Sequence, residues 1–234
     1  MIRLDKFLTE TNMGSRSQSK LLIRKGRVTV DGTPVKNPEL KIAETAVVTV
    51  DGVKVSYQKY VYYMLHKPGG VISATEDSRE KTVLELLQPL PVRDLFPVGR
   101  LDKDTEGLLL ITNDGQLAHR LLSPKKHVAK TYYVKAMGAV EENDVRLFQE
   151  GLDIGDEKPT LPAKLQILKS GESSECLITV TEGRYHQVKR MFLKIGKPVV
   201  YLKRLTMGSL QLDEKLAPGA YRPLTQEEIQ LLLS

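Results

Sequence analysis

The sequence is short of several residue types, and each shortage excludes something. One cysteine, Cys176, among 234 residues allows no internal disulfide and fits a reducing compartment. Tryptophan is absent and phenylalanine numbers four, so a core has to be built from Leu, Val and Ile. No apolar run approaches the roughly 18 residues of a membrane-spanning helix. The start, MIRLDKFLTE, carries charges where a signal peptide has its apolar core. A cytoplasmic protein with no membrane partner is expected. The histidines, His66, His119, His127 and His186, are scattered with no pair at zinc-ligand spacing, so no metal site is expected. A Walker loop and a dinucleotide fingerprint are both missing, so no cofactor is expected either. What is present is ordinary for a folded chain: 41 % apolar and 27 % charged residues, too apolar for disorder.

The formal net charge is +6, and it is unevenly placed. Residues 1–59 hold 11 bases and 6 acids, and residues 1–27 alone hold 7 bases and 2 acids. Those seven are Arg3, Lys6, Arg16, Lys20, Arg24, Lys25 and Arg27. The remainder is nearly neutral. A basic head on a neutral body points to a polyanionic partner.

The head reads as two helices followed by hairpins. Leu4, Phe7 and Leu8 share one helical face. A second helix is expected from Ser15 or Ser17 as N-cap, through SQSKLLIRK, to Gly26. VTVDG occurs at 28–32 and again at 48–52, each an alternating strand ending in an Asp-Gly turn. SYQKY (56–60) reads as a linker between domains 1–58 and 59–234. In the body, VYYML (61–65), VISA (71–74), LLLIT (108–112), KTYYVKA (130–136), AKLQILK, CLITVTEG and VVYLKR (199–204) read as strands. LLLIT is apolar throughout, as a strand buried on both faces is. KPGG (67–70) reads as a turn first and a phosphate cradle second. TVLELL (82–87, ending before Pro89), QLAHRLL, ENDVRLFQEG and YHQVKRMFLKIG read as helices, the last with Val188, Met191, Phe192 and Ile195 on one face. LTQEEIQLLLS carries Thr225 and Glu228 at capping-box spacing. No βαβ rhythm appears. The fold class expected is α+β: a small α/β head joined to a mixed, mainly antiparallel sheet with flanking helices.

Two clusters in the body carry chemistry. GRLDKDTEG (99–107) alternates Asp102, Asp104 and Glu106 with Arg100 and Lys103, beside the buried LLLIT strand. By spacing alone it is either a solvated loop of local ion pairs or a site at a strand end. Residues 184–204 contain seven bases and no acid. With the basic head, this second basic stretch favours nucleic-acid binding. Tyr132, Tyr133 and Tyr185 offer aromatic faces on which unpaired bases could stack.

GRLDKDTEGLLLITNDG, then KTY, then EGRYHQVKRMF, in this order, resemble the RsuA family of pseudouridine synthases. The first 60 residues are similar to the small RNA-binding domain first described in a small-subunit ribosomal protein. EGRYHQVKRMF with LAPGAYRPLTQEE (216–228) resembles the 16S rRNA branch of the family more than its large-subunit relatives. The resemblance implies roles by position. Asp102, the last residue of GRLD, matches the catalytic aspartate. Tyr132 of KTY matches the tyrosine that stacks on the target uracil. Lys189 of HQVK matches the basic partner of the aspartate. Leu202 matches an apolar residue beside the base, Arg100 an arginine that helps hold a flipped nucleotide, and Arg184 a phosphate contact. The seven head cations are the implied RNA-binding residues. The implied partner is 16S rRNA or a small-subunit assembly intermediate, met by a monomer.

Elementary chemistry agrees with these roles. Converting uridine to pseudouridine breaks N1–C1′ and forms C5–C1′, a redox-neutral isomerisation that requires no cofactor. It needs a group that can attack and leave, and a carboxylate fits. In a closed pocket a carboxylate stays ionised only beside a cation. Two other functions compete. A non-catalytic rRNA-binding assembly factor explains the charge layout but not acids set inside a basic body. A glycoside hydrolase using Asp102 with Asp104 or Glu106 is a poor match for two basic surfaces.

Overall fold

A computed structural model describes residues 1–11, 13–55, 60–88 and 94–233. The linker expected at 56–60, apart from Tyr60, and the helix stop expected at Pro89 lie outside the described residues. The chain divides into two compact units, residues 1–61 with 87–95, and residues 62–86 with 96–234.

The first unit comprises β1 (Ile2–Arg3), α1 (Leu4–Glu10), α2 (Arg16–Arg24), β2 (Val28–Val30), β3 (Thr33–Pro34), β4 (Lys41–Ile42), β5 (Val48–Val50) and β6 (Val53–Val55). Leu4, Phe7 and Leu8 are fully buried, as their spacing requires. Such side chains contribute roughly 1.5–3 kcal/mol each on burial. Ser15 caps α2: its hydroxyl accepts from Gln18 N while the Gln18 side chain accepts from Ser15 N, a reciprocal pair. Strands β3-β2-β5-β6 form an antiparallel sheet. Both Asp-Gly turns have positive φ at both residues, 49° and 80° at 31–32 and 51° and 79° at 52's hairpin, the geometry that matches strand twist.

The second unit comprises β7 (Tyr62–Lys67), β8 (Phe96–Pro97), β9 (Glu106–Thr112), α3 (Gly115–Leu122), β10 (Lys130–Met137), α4 (Glu142–Glu150), β11 (Lys164–Lys169), β12 (Ser173–Val180), α5 (Gln187–Lys194), β13 (Val199–Met207), β14 (Leu210–Gln211), β15 (Tyr221–Pro223) and α6 (Gln226–Leu233). Its sheet runs β11-β12-β10-β13-β9-β7-β15, with β14 on β13 and β8 on β9. Among the described strands the pairings are antiparallel except β13 with β9. That parallel join is short, Lys203 opposite Glu106 and Arg204 opposite Gly107. Gly107 makes it possible: its φ is +104° and a Cβ there would stand 2.2 Å from Arg204 O. The join brings the loop preceding β9 beside the middle of β13, which positions the site.

Leu108–Thr112 are buried on both faces, as the unbroken apolar run required. Leu108 and Leu110 pack with Met64, Val98, Leu117 and Leu121. A second core joins Val134, Ile178, Phe148 and the α5 residues Val188, Met191 and Phe192. Phe148 and Phe192 meet edge to face at 5.1 Å. Thr225 and Glu228 form the expected box, Thr225 N to Glu228 Oε2 at 2.7 Å and Glu228 N to Thr225 Oγ1 at 3.2 Å. No helix among the described residues is long and apolar enough to cross a membrane.

Two expected elements differ. Residues 71–74 are not a strand; only an isolated Ile72–Thr82 bridge forms. Their backbone is engaged locally instead, with Ile72 N bonded to Lys81 O and Val83 N to Ile72 O, both at 3.0 Å. TVLELL contains a single 3₁₀ turn, Leu84–Leu87, rather than an α-helix. Leu84 and Leu87, three apart, both face inward, which a threefold repeat achieves in four residues.

Candidate active site

The GRLD loop links β8 to β9 and is held from beneath. Thr105 N bonds to Asp102 O at 3.1 Å, which folds the loop into a tight turn. Ser73 grips Leu101 on both sides, its hydroxyl donating to Leu101 O at 2.9 Å and accepting from Leu101 N at 3.0 Å. Gly70 N donates to Lys103 O at 2.8 Å. Residues 70–73, read from sequence as a turn running into a strand, thus form a cradle for the loop.

Lys67 supplies the centre of this cradle, and sequence reasoning missed it. It ends β7 instead of starting the turn and is fully buried. Its ammonium donates to Thr105 O at 2.8 Å, Pro68 O at 3.0 Å and Lys103 O at 3.2 Å. Burial pushes its pKa down to about 8, against the opposing pull of Asp104, Asp102 and Glu106. One signal was available: a lysine two residues past the apolar run VYYML can still belong to that strand, and inside it its charge has to be satisfied.

Above the cradle the predicted residues converge. Lys189 Nζ, on the first turn of α5, lies 3.0 Å from Asp102 Oδ2 and 2.6 Å from Asp104 Oδ1. Burial pulls the Lys189 pKa down, but Asp104 and Asp102 outweigh it and hold it above the ordinary value. The same contact with Lys189 holds Asp104 below the usual carboxylate range. His186 adds a second neighbour that spacing did not show, Nε2 at 3.6 Å from Asp102 Oδ1.

Asp102 opens into a small pocket of about 90 Å³ lined also by Arg100, Tyr132, Arg184, Val188 and Leu202. The pocket adjoins a groove of about 710 Å³ that shares Arg100, Asp102, Tyr132, Arg184 and His186 with it. The groove is within the range of ligand sites, roughly 300–1,000 Å³. Tyr132 stands opposite Arg204 on the sheet, and Val134 opposite Leu202, so these side chains share the pocket face. Arg204 is buried, donates Nε to Leu108 O at 2.7 Å and leaves Nη2 buried with no hydrogen-bond partner among the described residues. Lys130, also buried, donates to Val128 O at 2.9 Å, and burial and Arg204 lower its pKa. Two buried cations therefore charge the groove floor.

The basic stretch 184–204 is not the open cationic surface its composition implied. Arg190 and Arg184 reach Asp156 at 2.6 and 3.4 Å, and Lys197 pairs with Asp144. With Lys189 and Arg204, five of the seven bases serve internal partners. Arg184, expected at a phosphate, lines the pocket and the groove and also bonds Glu182 at 3.0 Å and the carbonyls of Lys158 and Pro159 at 2.6 and 2.7 Å. A guanidinium has five donors, and these contacts take most of them. Tyr133 points to the other face, where its hydroxyl donates to Glu175; burial and that carboxylate push its pKa up to about 12.

In the first unit the seven cations divide. Arg3 bonds the buried Asp5 at 2.9 Å and Glu39 at 3.0 Å, Arg16 reaches Asp5 at 3.7 Å, Lys6 reaches Glu10 at 3.5 Å and Arg27 pairs with Asp51. Lys20, Arg24 and Lys25, all on or just after α2, have no ion pair among the described residues.

Comparison with known proteins identifies the family. Residues 61–194 match the RNA pseudouridylate synthase family and residues 2–48 the S4 domain. The chain is 51 % identical to the uncharacterized RNA pseudouridine synthase YtzG of Bacillus subtilis, covering 99 % of this chain and 98 % of that one. It is 43 % identical to ribosomal small subunit pseudouridine synthase A of Escherichia coli strain K12, covering 97 % of this chain and 98 % of that one. A crystal structure of a pseudouridylate synthase superposes with a TM-score of 0.70 at 41 % identity, covering 99 % of this chain and all of the other. The chain therefore belongs to the RNA pseudouridylate synthase family, in its RsuA branch, with an S4 domain within residues 2–48.

Proposed function

We propose that this protein isomerises one uridine of 16S rRNA to pseudouridine, with Asp102 as its catalytic residue. The observation that carries the proposal is the Asp102 carboxylate, held 3.0 Å from Lys189 and opening into a pocket lined by Tyr132 and Leu202. The partner named in its Escherichia coli relative, the small ribosomal subunit, supports the choice of rRNA.

The reaction separates N1 from C1′, turns the ring and joins C5 to C1′. The C5 hydrogen leaves as a proton and N1 gains one, so atoms and electrons balance without a cofactor. Asp102 is the carboxylate beside the reacting carbons. Lys189 neutralises its charge and aims it. Tyr132 stacks on the flipped uracil, worth about 1–3 kcal/mol against the few kcal/mol that unstacking costs. Leu202 gives the base an apolar wall, and Arg100, exposed at the pocket mouth, holds the displaced nucleotide. Arg184 braces the loop before α5 through Glu182 and the 158–159 carbonyls.

The division between RNA-binding head and catalytic body falls at residues 58 and 59, supported by a compact unit that holds residues 1–61. In the head, Lys20, Arg24 and Lys25 contact phosphates directly. The charges of Arg3, Lys6, Arg16 and Arg27 are partly offset by acids and act mainly through the field they share. The enzyme works as a cytoplasmic monomer on 16S rRNA or a small-subunit assembly intermediate. Release of tritium from 5-labelled uridine in rRNA, with pseudouridine mapping in cells with and without the gene, tests the proposal. Tight rRNA binding with no pseudouridine formed would instead make the protein a non-catalytic assembly factor.

A further inference from the structure

The loop between β12 and α5 presents two rings already stacked. Tyr185 and His186 lie face to face, centroids 3.8 Å apart and planes 18° apart. Tyr185 is 76 % exposed, so its ring contributes little to the core. Its backbone is nevertheless fixed. Tyr185 O accepts from Arg190 Nη1 at 3.1 Å, and Arg190 is pinned to Asp156 at 2.6 Å. His186 adopts φ 47° and ψ 33° at the start of α5, a left-handed conformation uncommon for a residue with a side chain. Backbone outliers of this kind gather where a side chain must be aimed. Here the aim is evident. Both rings line the groove, and His186 Nε2 lies 3.6 Å from Asp102. The inner ring stands at the carboxylate and the outer ring at the groove rim.

We infer that the Tyr185–His186 stack is a platform for an unpaired nucleobase neighbouring the target uridine, the free face of Tyr185 taking that base. The inference rests on the reading of the substrate as rRNA. A base pulled from a stack leaves its neighbour with one face uncovered. A fixed aromatic face covers it again, which lowers the cost of flipping and loses little entropy because the rings are already ordered. Every base has a π-face, so the platform tolerates sequence, and hydrogen bonds elsewhere must choose the site. Arg100, exposed at the same groove, is placed for the phosphate beside that base.

The test uses the full chain and a 16S rRNA transcript carrying 5-tritiated uridine. Tyr185→Ala is expected to weaken Kd and lower kcat/KM by roughly 5- to 150-fold, the range of one lost stacking contact. Tyr185→Phe, which keeps the ring, restores the loss. The slope of log Kd against log salt and the melting temperature stay as in the wild type, because neither a phosphate contact nor a core contact is removed. Wild-type behaviour of Tyr185→Ala, failure of Tyr185→Phe to restore it, or a reduced salt slope would overturn the inference. A wild type that binds the transcript and releases no tritium would overturn the catalytic reading alone. The Kd values of the Ala and Phe variants would still decide the platform.

Discussion

Replacing Lys67 by methionine should separate activity from stability. The ammonium is fully buried and holds three carbonyls, two of them in the loop that carries Asp102. Leaving a buried acceptor without a donor costs about 1–3 kcal/mol; with Thr105 O fully buried and Pro68 O and Lys103 O partly so, the gross loss is roughly 4–5 kcal/mol. Against this stands the cost of burying the charge. Its pKa falls from an ordinary 10.5 to about 8, and at roughly 1.36 kcal/mol per unit that is about 3 kcal/mol which methionine does not carry. The net destabilisation should therefore be small, about 1–2 kcal/mol by urea unfolding near neutral pH. The loop, however, loses its anchor at Lys103 O and Thr105 O. A displacement of Asp102 by about an ångström costs on the order of a hundredfold in kcat/KM, read by tritium release. The pH dependence has a definite sign. Below about 8 both folded and unfolded lysine are protonated and the burial cost is fully present. Between about 8 and 10.5 the unfolded chain binds the extra proton, so wild-type stability rises relative to Lys67→Met through that window. A variant with full activity, or one whose stability gap to the wild type is the same across that window, would refute the account of Lys67.

Three further outcomes are expected. Asp102→Asn keeps rRNA affinity within about twofold by filter binding, and tritium release falls by about 10⁴-fold or more, as for removal of a group that bonds to substrate. Lys189→Met lowers kcat/KM by about 10²–10³-fold because two carboxylates lose their shared cation, and Lys189→Arg recovers part of it; equal rates for the two would deny the ion pair its part. Replacing Lys20, Arg24 and Lys25 together by glutamine reduces the slope of log Kd against log salt by about 2–3, since each phosphate contact contributes roughly 0.7–0.9, and leaves turnover at saturating RNA unchanged; an unaltered slope would place the phosphates elsewhere.

Much of this protein was legible in the order of its residues, because the relevant physics is local. Spacing of three and four predicted α1 and α5, a cap for α2 was expected at Ser15 or Ser17 and forms at Ser15, and Thr225 with Glu228 three residues on predicted the capping box. Asp-Gly placed the two head hairpins, and an unbroken run of Leu and Ile predicted β9 buried on both faces. The motif residues Arg100, Asp102, Tyr132 and Leu202 line one pocket, and Lys189 contacts Asp102.

What the chain order could not show was which charges face one another. A count of seven bases without an acid at 184–204 looked like a surface for RNA, yet Asp156, Asp144, Asp102 and Asp104 come to them from distant segments. Charge is additive along a sequence but is neutralised through space, over a few ångströms. Lys67 was hidden for the same reason, since KPGG looks like any turn until the 103–105 carbonyls are brought over it. The sequence by itself determined most of the elements and the two-part charge layout, and its resemblance to a family pointed to the motif residues. Only the tertiary structure decided which cations are spent inside, which aspartate opens into the pocket, and how a parallel join at Gly107 brings β9 and β13 together.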